Sequence, residues 1–481
     1  MKAIILSINS KYIHTLLAPR YLKANCKDKN VEIIETNINI KIFDLLSEIF
    51  IKKPDIIAIS CYIFNIEYTR RLLEEIKIIL PDTIIILGGY EAAFDEARYL
   101  PLCNYLIKGE GDFIFNELLI DIEKNTKIYG KVIEAGTVKN LDDITSPFDE
   151  EYCTLGKEKI LYLETSRGCP FCCSYCMSAN THGVRTFSLK RIFSDIDSIM
   201  KYELKQIKLV DRTFNFNIER AVKIFDYIVE NYSDKSTNFH FEMAPELFND
   251  KLFSVLEKAK KGLFQFEIGV QSYNEQTLKK VNRKADIEII EQNLSKLIKM
   301  GNINIHVDLI AGLPDENYES FVKGFDRLFN LKPNCLQLGF LKILKGSHIY
   351  SQKNDFDISN YPPYEVINTP VLNFGEILKL KTAEEMLELY YNSGRFKASM
   401  NFLIPKYFSP YLFFYEIGNY LKEKKLDKKG FSAFYQCEIL YSFIKEKYNE
   451  DKELLLNLQN IINNDFAESG NTRKWRKQIN I

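Results

Sequence analysis

The chain has 481 residues, 46% of them hydrophobic, and its 64 Lys and Arg face 65 Asp and Glu for a formal net charge of -1. That length exceeds one ordinary core and predicts two or three domains, while the near-neutral charge removes any electrostatic reason to expect nucleic acid or an anionic membrane as an obligatory partner. Ten cysteines, no leader pattern and no apolar run near the roughly 20 residues of a membrane span predict a reducing, cytoplasmic setting in which clustered thiols bind metal.

In chain order, "KAIILSIN", "VEIIETNIN", "PDIIAISCYIF", "TIIILGGY" and "NYLIKGEG" predict strands, and "IEYTRRLLEEIKIIL" and "DFIFNELLIDIEK" have helical spacing between them. Strands apolar on both faces and separated by helices predict an α/β unit over residues 1–125, a doubly wound parallel sheet with ligands at its carboxyl edge. Residues 126–158, including "YGKVIEAGTVKNLDDITSPF", carry turn signals and read as a linker with room for a small hairpin. A second βα series runs over 159–354 through "KILYLETSRGC", "QIKLVDRTFN", "NFHFEMAPEL", "LFQFEIGVQS", "INIHVDLIAGLP" and "NCLQLGFLKIL". Six strands with helices between them predict a partial (β/α)6 barrel, whose chemistry belongs at the strand ends "ETSRGC", "DRTFN", "EMAPE", "GVQS" and "GLPDE". Residues 355–481 turn to aromatic-rich helices such as "EILKLKTAEEMLELYYNSG", a separate helical region with its own packed core, ending in the basic "NTRKWRKQINI", read as a frayed solvated end.

"CPFCCSYC" concentrates Cys169, Cys172, Cys173 and Cys176 in one octapeptide. As two Cys-x-x-Cys pairs it makes a poor zinc site, because structural zinc draws its knuckles from segments about 12 to 20 residues apart. As Cys169-x-x-x-Cys173-x-x-Cys176 it supplies three thiolates from one loop, suited to a [4Fe–4S] cube with one iron open, and leaves Cys172 a bystander. This spacing after a strand, with Tyr175 before the last cysteine, resembles the radical S-adenosylmethionine (SAM) superfamily. The resemblance implies that the open iron chelates the amino and carboxylate groups of SAM, and that a reduced cluster cleaves it to methionine and a 5′-deoxyadenosyl radical.

The same resemblance implies SAM contacts at the other strand ends. "VDRTFN" places Asp211, Arg212 and Thr213 where the superfamily binds the SAM amino group, in a form that departs from its usual glycine-glycine-glutamate. Gln271 and Ser272 of "EIGVQS" match the ribose segment, Glu242 is a further polar contact, and Gly312 of "DLIAGLP" matches the turn that passes the adenine. For Asp211 and Glu242 an ion pair at the barrel rim stays open as the other role. Arg283 reads as a solvated charge at a helix start, with the SAM carboxylate as its other possible partner.

A doubly wound, Rossmann-like domain before such a barrel resembles the cobalamin-binding radical SAM subfamily. Ser60 in "ISCY", with Tyr62 where that family has leucine, Gly88 and Gly89 in "ILGGYEA", and Glu110 and Gly111 in "KGEGD" carry the likeness. Small residues there leave room for the cofactor's nucleotide tail. The family's aspartate-x-histidine-x-x-glycine segment is broken: "NSKYIHTLL" retains only His14, the one nearby candidate for a lower cobalt ligand, and packing is the competing role. Cys26, Cys61 and Cys103 raise the methylthiotransferases as a rival, since those hold a second cluster on three amino-domain cysteines. The glycine pair favours cobalamin, and the basic RNA-binding module of that rival is absent from the sequence.

The family implies a cobalamin-dependent enzyme in which one SAM supplies the radical, methylcobalamin delivers a methyl group to an unactivated carbon or phosphorus, and a second SAM remethylates the cobalt. It implies a small-molecule or peptide substrate and an external electron donor such as flavodoxin or ferredoxin. Cobalamin-assisted cyclisation or rearrangement, and a non-catalytic cobalamin and cluster sensor, are the alternatives.

Overall fold

The computed structural model describes residues 1–26, 29–181, 183–426 and 432–468, so the basic tail lies outside the described residues. The first sheet contains β1 (Lys2–Asn9), β2 (Asn30–Asn37), β3 (Ile56–Ser60), β4 (Ile84–Gly88), β5 (Tyr105–Gly109) and β6 (Val132–Gly136), in the order β2-β1-β3-β4-β5-β6. Every pairing is parallel. In β1 all residues but Lys2 are buried. Successive side chains enter opposite cores, Ile4, Leu6 and Ile8 in one and Ala3 and Ile5 in the other, as the two-residue strand repeat requires. Each such aliphatic side chain contributes about 1.5–3 kcal/mol by its burial. The strand order reverses direction between β1 and β3, the switch point at which doubly wound sheets bind ligands outside the carboxyl edge.

The sheet extends further than the sequence pattern indicated. β6 lies in the segment expected to be a linker with a small hairpin, and it pairs in parallel with β5. A short edge strand with one partner carries little periodicity of its own, which hid it.

The second unit begins with β7 (Leu161–Leu163) and a hairpin of β8 (Ser166–Gly168) and β9 (Val184–Thr186), whose connection carries the four cysteines. It continues with β10 (Gln206–Leu209), β11 (Asn238–Met243), β12 (Phe264–Gln271), β13 (Asn304–Ala311) and β14 (Cys335–Phe340). These form the parallel order β14-β13-β12-β11-β10-β7, an open six-stranded barrel. Phe241 of β11 and Phe264 and Phe266 of β12 pack outward on Phe225 of the helix Ile218–Tyr232, while His240 and Glu242, flanking Phe241, face the lumen.

Both open edges are covered, which protects unpaired strand groups from other chains. At β7, His14 forms a parallel bridge with Ile160 and Thr15 Oγ1 donates to Ile160 O at 2.9 Å. At β14, the Asn392 side chain accepts from Leu336 N at 3.0 Å and donates to Leu336 O at 2.8 Å. The carboxyl-terminal helices are not a separate core as expected. They share one hydrophobic cluster with the barrel, and Tyr411 N donates to Asp326 at 2.8 Å while its ring meets Phe325 edge-on. Aromatic side chains reach far enough to merge neighbouring layers into one interior.

Candidate functional site

The carboxyl edges of both sheets face one cavity of about 890 Å³. Asn9, Ser60 and Gly88 line it from the first sheet, and Glu164, Gly168 and Arg212 from the barrel side. His14 and Gly89 also line it.

The glycine pair divides into two roles. Gly89 has φ +91°, and a Cβ there would meet Cys61 O at 2.5 Å, so the backbone crossing between the β3 and β4 ends requires glycine. A Cβ on Gly88 would meet nothing closer than Ile107 O at 3.6 Å, so its smallness keeps the cavity floor low. Such a floor fits a large flat cofactor with a tail. His14 Nδ1 lies 2.9 Å from Tyr162 Oη. Burial, then Lys11 and Lys208, hold the imidazole below its usual pKa and therefore neutral, the form that binds metals.

Glu110 and Gly111, expected as cobalamin contacts, line the cavity, and Glu110 is also held in an ion-pair network. Its carboxylate accepts from Val138 N at 2.7 Å and pairs with Arg185 and Arg167. Gly111 is close-packed, a Cβ there standing 3.3 Å from Leu22. Arg167 donates to both Asp112 oxygens at 2.7 and 3.0 Å and to Glu164 at 3.0 Å. Burial lifts Glu164 to about 7 against the pull of Arg167.

Cys172 is exposed, Cys173 buried, and Cys169 and Cys176 are partly covered. Arg283 Nη1 lies 4.0 Å from Cys173 Sγ. Burial raises that thiol while Arg283 and Tyr175 pull it down. Thr213 Oγ1 is 3.5 Å from Cys169 Sγ. Among the described residues no group of three or more His, Cys, Asp and Glu side chains is gathered closely enough to hold a metal ion, so the thiols stand as separate donors on one loop. Their chemistry fits a cluster: three soft ligands at the expected spacing with a guanidinium beside one.

The remaining strand-end residues separate by burial. Asp211 is fully buried and accepts from Thr165 N at 2.9 Å, Thr165 Oγ1 at 2.5 Å and Ser166 Oγ at 2.5 Å. It braces the chain after β7, the structural role that the sequence left open beside a SAM contact. Ser272 is likewise occupied, donating to Glu316 at 2.7 Å and accepting from Asn274 N. Glu242 remains available, 4.0 Å from Arg212 and lifted by burial to about 7. Gln271 sits at a register shift with φ +73°, and its buried Oε1 has no hydrogen-bond partner. Strained backbone at a strand end with an unpaired acceptor fits a ligand contact. Gly312 has φ +87° in the turn after β13. Arg283 is no solvated charge: it is partly buried and donates to Gly269 O at 2.5 Å.

Sequence reasoning missed Asp308, which is in register with Gly269 and whose Oδ1 is buried without a partner. The alternation in "NIHVDLIA" was the signal that it faces the lumen. It also missed Asp112, Arg167 and Arg185, whose partners are remote in sequence.

The cysteines of the first sheet occupy two different cores, Cys61 and Cys103 in one and Cys26 in the other. Burial raises all three thiols. They form no second cluster site of the rival kind.

Three family models match the chain: B12 binding domain over residues 3–119, Radical SAM superfamily over 163–328, and Protein of unknown function (DUF4080) over 352–480. The cobalamin-dependent radical SAM methyltransferase TokK of Streptomyces tokunonensis is 24% identical over 310 residues, 58% of this chain and 45% of that protein. The hopanoid C-3 methylase of Methylococcus capsulatus is 24% identical over 299 residues, 58% of this chain and 57% of that protein. The chain thus spans about half the length of these curated relatives. The fold is shared with the cobalamin-dependent SAM radical enzyme OxsB with aqua-cobalamin bound, at TM-score 0.63 and 15% identity over 98% of this chain and 84% of that one. No helix among the described residues is long and apolar enough to cross a membrane. The chain thus joins a B12-binding domain and a radical SAM domain whose sheet edges face one cavity.

Proposed function

We propose that the chain is a cobalamin-dependent radical SAM enzyme that transfers a methyl group to an unactivated carbon or phosphorus of a small-molecule or peptide substrate. The observation that carries this reading is the single cavity walled by both sheet edges and by the hairpin that bears the thiols. Cys169, Cys173 and Cys176 would hold the cluster, Glu242, Gln271, Asp308 and Arg283 the SAM, and Ser60, Gly88 and His14 the cobalamin. When bound, these groups supply a 5′-deoxyadenosyl radical and a methyl carrier, with electrons from an external donor such as flavodoxin or ferredoxin.

The chain's own residues bind and orient. Arg283, fixed on Gly269 O, presents its guanidinium beside the thiol loop to a carboxylate. Glu242 and Asp308 offer lumen carboxyl oxygens, and Gln271 an amide oxygen, to amino and hydroxyl donors. Arg212, in the cavity wall, would offer its guanidinium to the substrate.

Anaerobic reconstitution tests the proposal. About four irons and one corrinoid per chain, with 5′-deoxyadenosine formed on reduction in the presence of SAM, support it. Two clusters without corrinoid would shift the reading to a methylthiotransferase, and corrinoid with a cluster but no SAM cleavage to a sensor.

A further inference from the structure

The hairpin carrying the cysteine loop contains a conflict that Glu164, at 3.0 Å from Arg167, and carboxylates of the first domain resolve together. Its strands pair Arg167 directly opposite Arg185. Like charges at opposed positions of an antiparallel pair repel and destabilise it. The neutralising groups come chiefly from the turn after β5: Asp112 takes Arg167 through both oxygens at 2.7 and 3.0 Å, and Glu110 takes Arg185, with its Oε2 3.3 Å from Arg167. Arg185 also donates to Val138 O, and Val138 N donates to Glu110 at 2.7 Å, so the strand end beyond β6 joins the lock. The Arg167 guanidinium lies over the Tyr21 ring at 5.5 Å. The pairs are well covered, with side-chain exposure of 14% for Arg167 and 7% for Asp112. A planar fork held on both edges and one face has one position available to it.

We infer that Asp112 and Glu110 are positioning residues that seat the cysteine hairpin on the first domain and so set the distance between the thiol loop and the first sheet's carboxyl edge. This rests on the proposed function for its consequence, though not for its geometry. Two outcomes for SAM depend differently on that distance. Reductive cleavage to methionine and 5′-deoxyadenosine needs the barrel alone. In methyl transfer the S–CH3 bond breaks, the sulfur keeps the electron pair as S-adenosylhomocysteine, and the methyl bonds to a reduced corrinoid held by the other domain.

The test has two arms. In cofactor-free protein, Asp112→Asn should speed hydrogen–deuterium exchange of residues 165–168 and 184–187 by about tenfold or more, because loosening lowers the local opening free energy. In reconstituted protein with SAM, cobalamin and titanium(III) citrate, the ratio of S-adenosylhomocysteine to 5′-deoxyadenosine should fall by about tenfold or more while iron content holds, since small misplacements cost large factors in rate. Arg185→Lys, which keeps the charge and loses the fork, gives a milder form of both changes should Asp112→Asn not fold. Asp112→Glu should partly restore the ratio. Unchanged exchange in Asp112→Asn and Arg185→Lys, or loosened exchange with an unchanged ratio, overturns the inference. Native protein that binds no corrinoid and makes no 5′-deoxyadenosine overturns the functional reading instead, and the exchange arm still decides whether the clamp exists.

Discussion

The two sheets share parallel topology and treat their faces differently. In the first, β1 is buried along nearly its whole length because both faces meet helices. In the barrel, β12 alternates buried and partly exposed residues along "FQFEIGVQ" because one face looks into the lumen. A sheet covered on both faces can carry chemistry only at its edge. An open barrel can carry it along the lumen, which is why Lys208, Glu267, Glu242 and Asp308 lie inside. The helix starts differ in the same sense. After the barrel strands, Ser188, Asn217, Asn249, Asn274 and Asn317 cap their helices through side chains. The first-domain helices Leu17–Ala24, Ile66–Ile79 and Ile114–Lys124 have no side-chain cap, although such a cap contributes about 1 kcal/mol. At the cavity the first domain sets the small residues Ser60, Gly88 and Gly89 beside His14, Tyr62 and Glu110, and the barrel side adds Glu164, Arg167 and Arg212.

The largest expected effect separates the thiols. Cys173→Ala should abolish reconstituted iron and sulfide, whereas Cys172→Ala should retain about four irons per chain. Equal loss from both substitutions would refute the three-ligand assignment. Next, Phe225→Ala removes the ring packed between Phe214, Phe241 and Phe264. Denaturant unfolding should show a loss of about 3–5 kcal/mol, as for large-to-small changes in tight cores. A loss below about 1 kcal/mol would show that the barrel exterior is loosely packed.

The lumen charges give a pH signature of their own. Burial works against ionisation of Glu267, yet His240 at 3.0 Å and Lys208 at 2.9 Å hold its carboxyl down to about 2. A carboxylate whose folded value is depressed stabilises the fold above its unfolded value of about 4.3 and loses that contribution as the pH falls toward 2. Glu267→Gln should therefore cost about 1–3 kcal/mol at pH 7, about half of that near pH 3 and little near pH 2, read as urea midpoints. A cost independent of pH would mean that the side chain matters by packing alone.

The smallest stability effect belongs to the glycine floor. Gly88→Ala should change stability by less than about 1 kcal/mol, since its Cβ meets only ordinary contact, while corrinoid retention drops. Gly89→Ala should cost more than that, because its left-handed φ and the Cys61 backbone both oppose a Cβ. If Gly88→Ala binds corrinoid as well as the native chain, the floor is not the cofactor's seat.

Much of the fold was legible because it is written locally. β1 coincides with "KAIILSIN", and the six barrel strands fall within the six predicted segments. The thiol spacing was equally plain, since a loop ligand set is a matter of a few consecutive residues. The site's polar residues were less legible. Asp211 and Ser272 have the composition of contacts, yet the structure buries them against Thr165 and Glu316. Arg283 sits in an ordinary charged stretch, yet folding brings it to Cys173.

By itself the sequence determined the order of the strands and helices apart from β6, and the spacing of the thiol loop, all consequences of backbone preference and short-range periodicity. Only the tertiary structure decided which carboxylates brace the fold and which face the cavity. Glu110 and Arg185 stand 75 positions apart, and Arg167 and Asp112 stand 55 apart. Over such separations a charge's role is set by what the packed domains bring beside it, because burial and ion pairing depend on neighbours in space.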